Sequence, residues 1–268
     1  MEIATAREYR REAIMETMPD LGIPTNTWLM TTGGVYLWYI LLGYHIGRTR
    51  QTKTLSLYAL FFVVATLSFW QEFYGDWGNY QIWNPHFARI PFWGISPYTT
   101  PVKPSWIPYS WGWFLGLLIP LLCSLAYWGK AKLKSVPLWV LAIPIGLFLW
   151  LYDIYEEVNA TANGLWSVTR IWGPAFHSER GSYAIVYPSV LLGFFASAMI
   201  LLLYKQDVSG YFWHESLLNI QRMKPGFKRE LARLGSFYLV FNVVFFIFQT
   251  GPIMLFRILI GGPSNIVP

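Results

Sequence analysis

Three carboxylates close an apolar run. In Leu147 to Asn159, Leu-Phe-Leu-Trp-Leu-Tyr-Asp-Ile-Tyr-Glu-Glu-Val-Asn, the acids Asp153, Glu156 and Glu157 continue a hydrophobic pattern instead of interrupting it. On a helix, positions i, i+3 and i+4 share one face, so all three point the same way. An acid near the centre of a membrane segment costs about 2.5 to 3.5 kcal/mol, and the default meaning of one that is kept is a functional site. The competing expectation is that the three acids sit among lipid headgroups and only end the helix. A second acidic stretch, Phe69-Trp70-Gln71-Glu72-Phe73-Tyr74-Gly75-Asp76-Trp77-Gly78-Asn79-Tyr80, follows another apolar run and adds Glu72 and Asp76. Carboxyl groups crowded into an apolar pocket cannot all ionise together, so one can remain a general acid while another serves as base. Aromatic faces nearby would stabilise a developing cation. That combination suits protonation of an alkene, epoxide, alcohol or ketone, followed by dehydration, cyclisation or isomerisation of a lipophilic substrate.

Other chemistries find less support. The four histidines, His45, His86, His177 and His214, lack the spacing that puts two metal ligands on one helix face; no metal and no cofactor is expected, with a carboxylate site joined by His86 or His177 as the alternative. A glycine-rich phosphate loop and a GxSxG nucleophile elbow are absent from the sequence. The single cysteine, Cys123, lies within an apolar run and rules out an internal disulfide.

The elements that must position these acids are membrane helices. The chain of 268 residues is 54% hydrophobic and 13% charged, with a mean hydropathy of +0.37, whereas an ordinary soluble domain is about a quarter charged. The expected fold is an all-α, polytopic membrane helix bundle of about six transmembrane helices with long aromatic loops on one face. The runs are Trp28 to Ile46, Leu55 to Trp70, Trp106 to Trp128, Val136 to Val158, Tyr183 to Tyr204 and Leu234 to Gln249. Each approaches the roughly 20 residues that cross about 30 Å of hydrocarbon. The apolar tail Pro252 to Ile260 is read as interfacial or re-entrant, with a seventh helix as the alternative. The organisation is then an N-terminal surface segment, residues 1–26, a transmembrane bundle, residues 27–250, and a C-terminal tail, residues 251–268.

The net charge of +6 does not point to nucleic acid, because the basic residues fall in short clusters between apolar runs, as topology signals do. The larger share of the 20 basic residues lies in the connections after the first, third and fifth runs. Loops rich in Lys and Arg stay cytoplasmic, which places both termini on the non-cytoplasmic side. The ends of the second, fourth and sixth runs then share one membrane face. Two long connections emerge there, about 73–105 and 160–182, the first with Trp83, Trp93 and five prolines, the second with Trp166, Trp172, His177, Glu179 and Arg180. Aromatics at 19% of the chain, including 15 tryptophans, argue against disorder. The loops are read as lids over the helix ends, with aromatic anchors resting on the membrane surface as the alternative.

A family resemblance covers about residues 55–205. Phe69-Trp70-Gln71-Glu72, continuing through Asn79-Tyr80 to Phe92-Trp93-Gly94-Ile95, resembles the AveC-like spirocyclase family, in which a Trp-Gln-acid element precedes Asn-Tyr and a Trp-containing turn. Asp153 and Glu157 are similar to that family's Asp-x-x-x-Glu, and Gly181-Ser182-Tyr183 with Tyr187-Pro188 to its Gly-aromatic-Pro opening. The Glu72-to-Asn79 spacing is longer here, and no acid follows Pro188. The resemblance implies a membrane cyclase or dehydratase, of the kind that forms a spiroketal from a dihydroxyketone. Trp70-Gln71-Glu72-Phe73-Tyr74 is also similar to the Trp-Glu-aromatic element of integral-membrane meroterpenoid cyclases, which protonate a terpene epoxide. The expected catalytic acids are Asp153, Glu157 and Glu72. The expected substrate-binding residues are Trp70, Asp76, Asn79, Tyr80, Trp93, Trp150 and Glu156. The rival expectation is a non-catalytic subunit or lipid-binding module, whose acids would pair with Arg170, Arg180 or a partner protein.

Overall fold

The computed structural model describes residues 19–94, 96–204 and 211–267. Most of the expected N-terminal surface segment, together with Ile95 and Lys205, lies outside them. Residues 19–27 run without regular structure along the end of a later helix, where Thr25 N–H donates to Asn163 O at 3.0 Å.

The fold is mostly helical. A π-helical turn, Leu29–Gly33, leads into helix α1, Gly34–Thr52, which stops where Lys53 takes a left-handed conformation. Helix α2, Leu57–Ser68, starts at Ser56, whose hydroxyl accepts the Ala59 N–H at 3.2 Å and so satisfies a first-turn donor. It breaks at Phe69 into helix α3, Trp70–Gly78, with a bend of 58°. The polar side chains of Ser68 and Gln71 flank the break, and both bond to Asn242. Helix α4, Ile107–Lys132, and helix α5, Leu138–Ala162, carry Pro120 and Pro144 in their interiors, as membrane helices tolerate when neighbours satisfy the freed carbonyls. Helix α6, Ser189–Leu203, the single turn and a half α7, Trp213–Leu217, and helix α8, Phe227–Gly261, complete the chain.

Three of these helices, α4, α5 and α8, are long and apolar enough to cross a membrane, and the bent α2–α3 pair passes as a fourth if counted as one span. They are compatible with a membrane protein. The expectation of six spans is corrected accordingly. The first run lies mostly in α1, whose 19 residues are long enough but include His45, Arg48 and Arg50 and fall short in hydropathy. The fifth run yields only the 15 residues of α6, because Ser182–Ala184 enters a strand and the turn to Pro188 precedes the helix. There is no separate seventh helix either: α8 is continuous for 35 residues, and its π-helical turns at Phe246–Thr250 and Arg257–Gly261 absorb the expected interfacial tail.

Close packing fixes the frame. At the α5–α6 crossing, Gly146 faces Gly193, and a β-carbon on Gly146 would stand 2.5 Å from the Gly193 carbonyl oxygen. Only the missing side chains let these backbones approach, which is how small residues join membrane helices. The two long loops are joined to each other. Strand β1, Gln81–Trp83, pairs antiparallel with β2, Trp166–Val168, so that Trp83 stands opposite Trp166. Strands β3, Ala175–His177, and β4, Ser182–Ala184, form a second short ladder. The two ends of the first loop are buried, with Trp83, Thr100, Val102 and Lys103 in the interior, while Phe92 and Tyr98 in its middle are exposed. Near the start of α8, a buried ion-pair network joins Arg233 to Glu215 at 2.7 Å and to Glu230 at 2.9 Å, and Arg229 to Glu230 at 2.8 Å. Glu230 also accepts the Leu55 N–H at 2.8 Å, which ties the α1–α2 connection to α8.

Candidate active site

About 20 residues farther along α8, a cavity of about 200 Å³ opens between α3, α5, the first turns of α4 and the β1–β2 ladder. The periodicity of α3 places Glu72, Gly75, Asp76 and Asn79 at i, i+3, i+4 and i+7, and this face forms one wall. Helix α5 contributes Asp153, Glu156 and Glu157 to the same cavity by the same spacing. Five carboxylates from two helices thus line one space, as the sequence leads one to expect. Among the described residues, no lysine, arginine or histidine lines it.

Three of the five acids are held by tryptophans. Trp83 Nε1 donates to Asp76 Oδ2 at 2.6 Å, Trp111 Nε1 to Glu72 Oε2 at 3.2 Å, and Trp166 Nε1 to Glu157 Oε2 at 2.7 Å. An indole N–H only donates, so it fixes one oxygen of each carboxyl group and leaves the other free for chemistry. Asp153 has no indole; the Ser189 hydroxyl lies within its hydrogen-bonding reach. Ser189 Oγ is paired in turn with the Tyr183 hydroxyl at 2.9 Å. Burial holds the Tyr183 phenol well above its usual pKa, and the carboxylates Glu157 and Asp153 reinforce this. Tyr183 therefore stays neutral and serves as a hydroxyl bridge at the cavity edge.

One buried cation, Lys103, acts on Asp76 without lining the cavity. Lys103 Nζ donates to Thr100 O at 2.8 Å and Gly94 O at 3.0 Å and lies 5.7 Å from the Trp93 ring centre. Burial lowers its pKa to about 8, partly offset by the attraction of Asp76. Arg170 and Arg180, the partners that a purely structural role would assign to the acids, are engaged elsewhere. Arg170 donates to Pro263 O and stacks on Tyr80 and Trp172, and Arg180 donates to Ile23 O, Thr25 Oγ1 and Asn163 O.

Four expected wall residues stand outside the cavity. Trp70 turns away to donate to the Tyr238 hydroxyl at 3.2 Å. Tyr80 binds the Gly262 carbonyl and is stacked by Arg257, 4.4 Å from its ring centre. Trp93 packs on Phe73, with ring centres 5.1 Å apart, and on Phe69, and Trp150 lies beside Gly193 at the α5–α6 crossing. The aromatic wall is made instead by Trp83, Trp106, Trp111, Trp113 and Trp166. A sequence signal for part of this exists: Ile107, Trp111 and Leu115 recur at i, i+4 and i+8 and line the cavity together. The Trp83–Trp166 pairing joins residues in different loops and has no local signature.

Among the described residues, no three His, Cys, Asp or Glu side chains come together closely enough to hold a metal ion. No protein-family model, curated protein or solved structure matches the chain.

Proposed function

We propose that the protein is a membrane-embedded acid–base cyclase or dehydratase acting on a lipophilic, polyketide- or terpenoid-like substrate, with Asp153, Glu157 and Glu72 as the proton-transferring residues. The observation that carries this reading is the convergence of five carboxylates from α3 and α5 on one tryptophan-lined cavity with no cationic side chain in its wall among the described residues. Acids kept without a neutralising partner are costly, and proton transfer is the chemistry that uses them. A protonated carboxyl group gives its proton to a substrate oxygen or alkene; the C–O bond of a protonated hydroxyl breaks to release water, or that of an epoxide opens; the new ring or double bond forms as positive charge develops against the indole faces, and an ionised carboxylate removes a proton from the resulting cation. Proton gain and loss balance, and no electrons are exchanged. The basic clusters at Arg48 to Lys53 and Lys130 to Lys134 support placing the cavity on the non-cytoplasmic side of the bilayer. The test is turnover of a panel of hydroxyketones and terpenoid epoxides by the purified protein in lipid. Asp153→Asn and Glu157→Gln are each expected to lower it about 10²-fold, and unchanged turnover in both overturns the reading.

A further inference from the structure

The cavity is small, and one side of it is open. Its volume of about 200 Å³ falls below the roughly 300 to 1,000 Å³ of sites that enclose a whole small-molecule ligand. Among the described residues that line it, Leu29 is the exposed one, at 52%. Contacts lead from Leu29 across the opening to α5. A β-carbon on Gly34 would stand 2.5 Å from Leu29 O and 2.9 Å from Trp113 Nε1, so the π-helical turn rests against α4. Trp113 meets the Phe114 ring edge-on, and Phe114 stacks on Tyr152 of α5 with ring centres 6.3 Å apart. Trp113, Phe114 and Tyr152 line the cavity and are only half-buried.

The two helices part here because each packs closely on another partner. Gly116 brings α4 onto α2, where a β-carbon would stand 2.7 Å from Phe62 Cα, and Gly146 brings α5 onto Gly193 of α6. At their connection α4 and α5 are pinned, with Lys130 Nζ donating to Val136 O at 2.8 Å. At the level of the acids, the ring contact of Phe114 with Tyr152 spans the gap. The Tyr152 hydroxyl lies within hydrogen-bonding reach of Glu156, one turn on, so its polar tip is matched by an acid of the cavity and its faces remain for apolar contact. Tyr152 also stacks on Phe148, at 6.4 Å, which is 56% exposed on the outer side of α5 together with Leu151. Ten residues separate Tyr152 from the end of α5 at Ala162, roughly 15 Å of helix at about 1.5 Å per residue. The opening therefore lies at a depth where a spanning helix meets hydrocarbon.

We propose that the cleft between α4 and α5, bounded by Leu29, Phe114, Tyr152 and Phe148, is a hydrocarbon-chain subsite: the ligand is a long-chain amphiphile whose polar end enters the acid-lined cavity while its chain leaves between the Phe114 and Tyr152 rings into the bilayer. The volume of the cavity and its continuity with the cleft select this occupant, because a ligand too large to be enclosed must leave on the open side, and the surface there is apolar. The proposal deepens the acid–base reading by naming the shape of its substrate, and rests on it only for the statement that the reacting group is the one at the cavity end.

The experiment uses the full-length protein in phosphatidylcholine nanodiscs and two photoreactive forms of a long-chain methyl ketone, one with a diazirine at mid-chain and one with the diazirine within the first few carbons from the carbonyl. The mid-chain probe is expected to label Phe114, Phe148 and Tyr152, and the other to label interior wall residues such as Trp111 and Leu192. Excess unmodified ketone should reduce both patterns to background. Mid-chain labelling inside the cavity overturns the subsite, since the whole ligand is then enclosed. Labelling that is spread over the outer faces of α4, α5 and α8 and resists competition also overturns it, and leaves bilayer lipid as what covers the cleft. Absence of saturable labelling does the same. The comparison needs no substitution, so it does not depend on the folding of a variant. Competed labelling at the cleft with undiminished turnover in Asp153→Asn and Glu157→Gln would keep the subsite and remove the acid–base reading. Lost turnover in those variants with mid-chain labelling inside the cavity would do the reverse.

Discussion

Trp83 and Trp166 stand directly opposite each other across the β1–β2 ladder, with ring centres 4.5 Å apart, and each gives its indole N–H to a carboxylate on a different helix. Trp83 holds Asp76 of α3 and Trp166 holds Glu157 of α5. Two loops more than 80 residues apart in the chain thereby set the separation of two acid-bearing helices. Replacing either tryptophan by phenylalanine keeps most of the ring packing and deletes one donor to a buried carboxyl group. Trp166→Phe and Trp83→Phe are each expected to cost about 1 to 3 kcal/mol of stability. Urea or thermal unfolding in detergent measures it, and a loss confined to the packing of a smaller ring would show equally in Trp93→Phe, whose N–H meets only the Ser96 hydroxyl.

Catalysis by a mixture of protonated and ionised carboxyl groups requires both forms at once. The rate is therefore expected to follow a bell-shaped pH profile, falling in acid as the base is protonated and in alkali as the acid is lost. Its two limbs belong to the carboxyl cluster as a whole, since groups this close titrate together. Glu157→Gln should remove one limb or shift it, and a profile flat across the working range in the wild-type protein would exclude this division of labour.

Two glycines are expected to respond oppositely to the same substitution. Gly75 faces open space in the cavity, whereas a β-carbon on Gly146 would strike Ser197 and the Gly193 carbonyl. Gly75→Leu should leave the melting temperature nearly unchanged, or raise it through better helix propensity, and abolish ligand binding by filling the cavity. Gly146→Leu forces the α5–α6 crossing apart and is expected to destabilise by about 1 to 3 kcal/mol or more. Paired melting and binding curves distinguish the two.

His214 lies away from the cavity, beside the ion-pair network, with Nδ1 3.1 Å from Ser236 Oγ and its ring packed between Phe212 and Phe237. Burial, with the Arg233 charge adding to it, lowers its pKa from 6.5 to about 4. The unfolded chain therefore takes up a proton that the folded protein refuses. Stability from this residue is complete above pH 6.5 and is lost as the pH falls from there towards about 4, by at most about 3 kcal/mol. Unfolding midpoints at neutral and mildly acidic pH test this, and His214→Phe should lose the part of the dependence that falls in that window.

What the sequence determined by itself was which residues share a helix face. The i, i+3, i+4 spacing of Asp153, Glu156 and Glu157, and of Glu72, Asp76 and Asn79, is a local property of a periodic chain, and the structure keeps it unchanged. Hydropathy likewise marked α4, α5 and α8, because burial of an apolar run in lipid depends on composition alone. The span number was less legible: α6 is shortened by a strand and a turn, and α8 runs on through residues that look like a separate tail. The choice of aromatic wall was not legible at all. Trp70, Tyr80, Trp93 and Trp150 are as aromatic as Trp83, Trp106, Trp111 and Trp166, and which set meets the acids depends on a ladder between distant loops and on the 58° break between α2 and α3. Contacts between residues far apart in the chain arise only when the helices have packed, so tertiary structure alone decided which tryptophans hold the carboxyl groups.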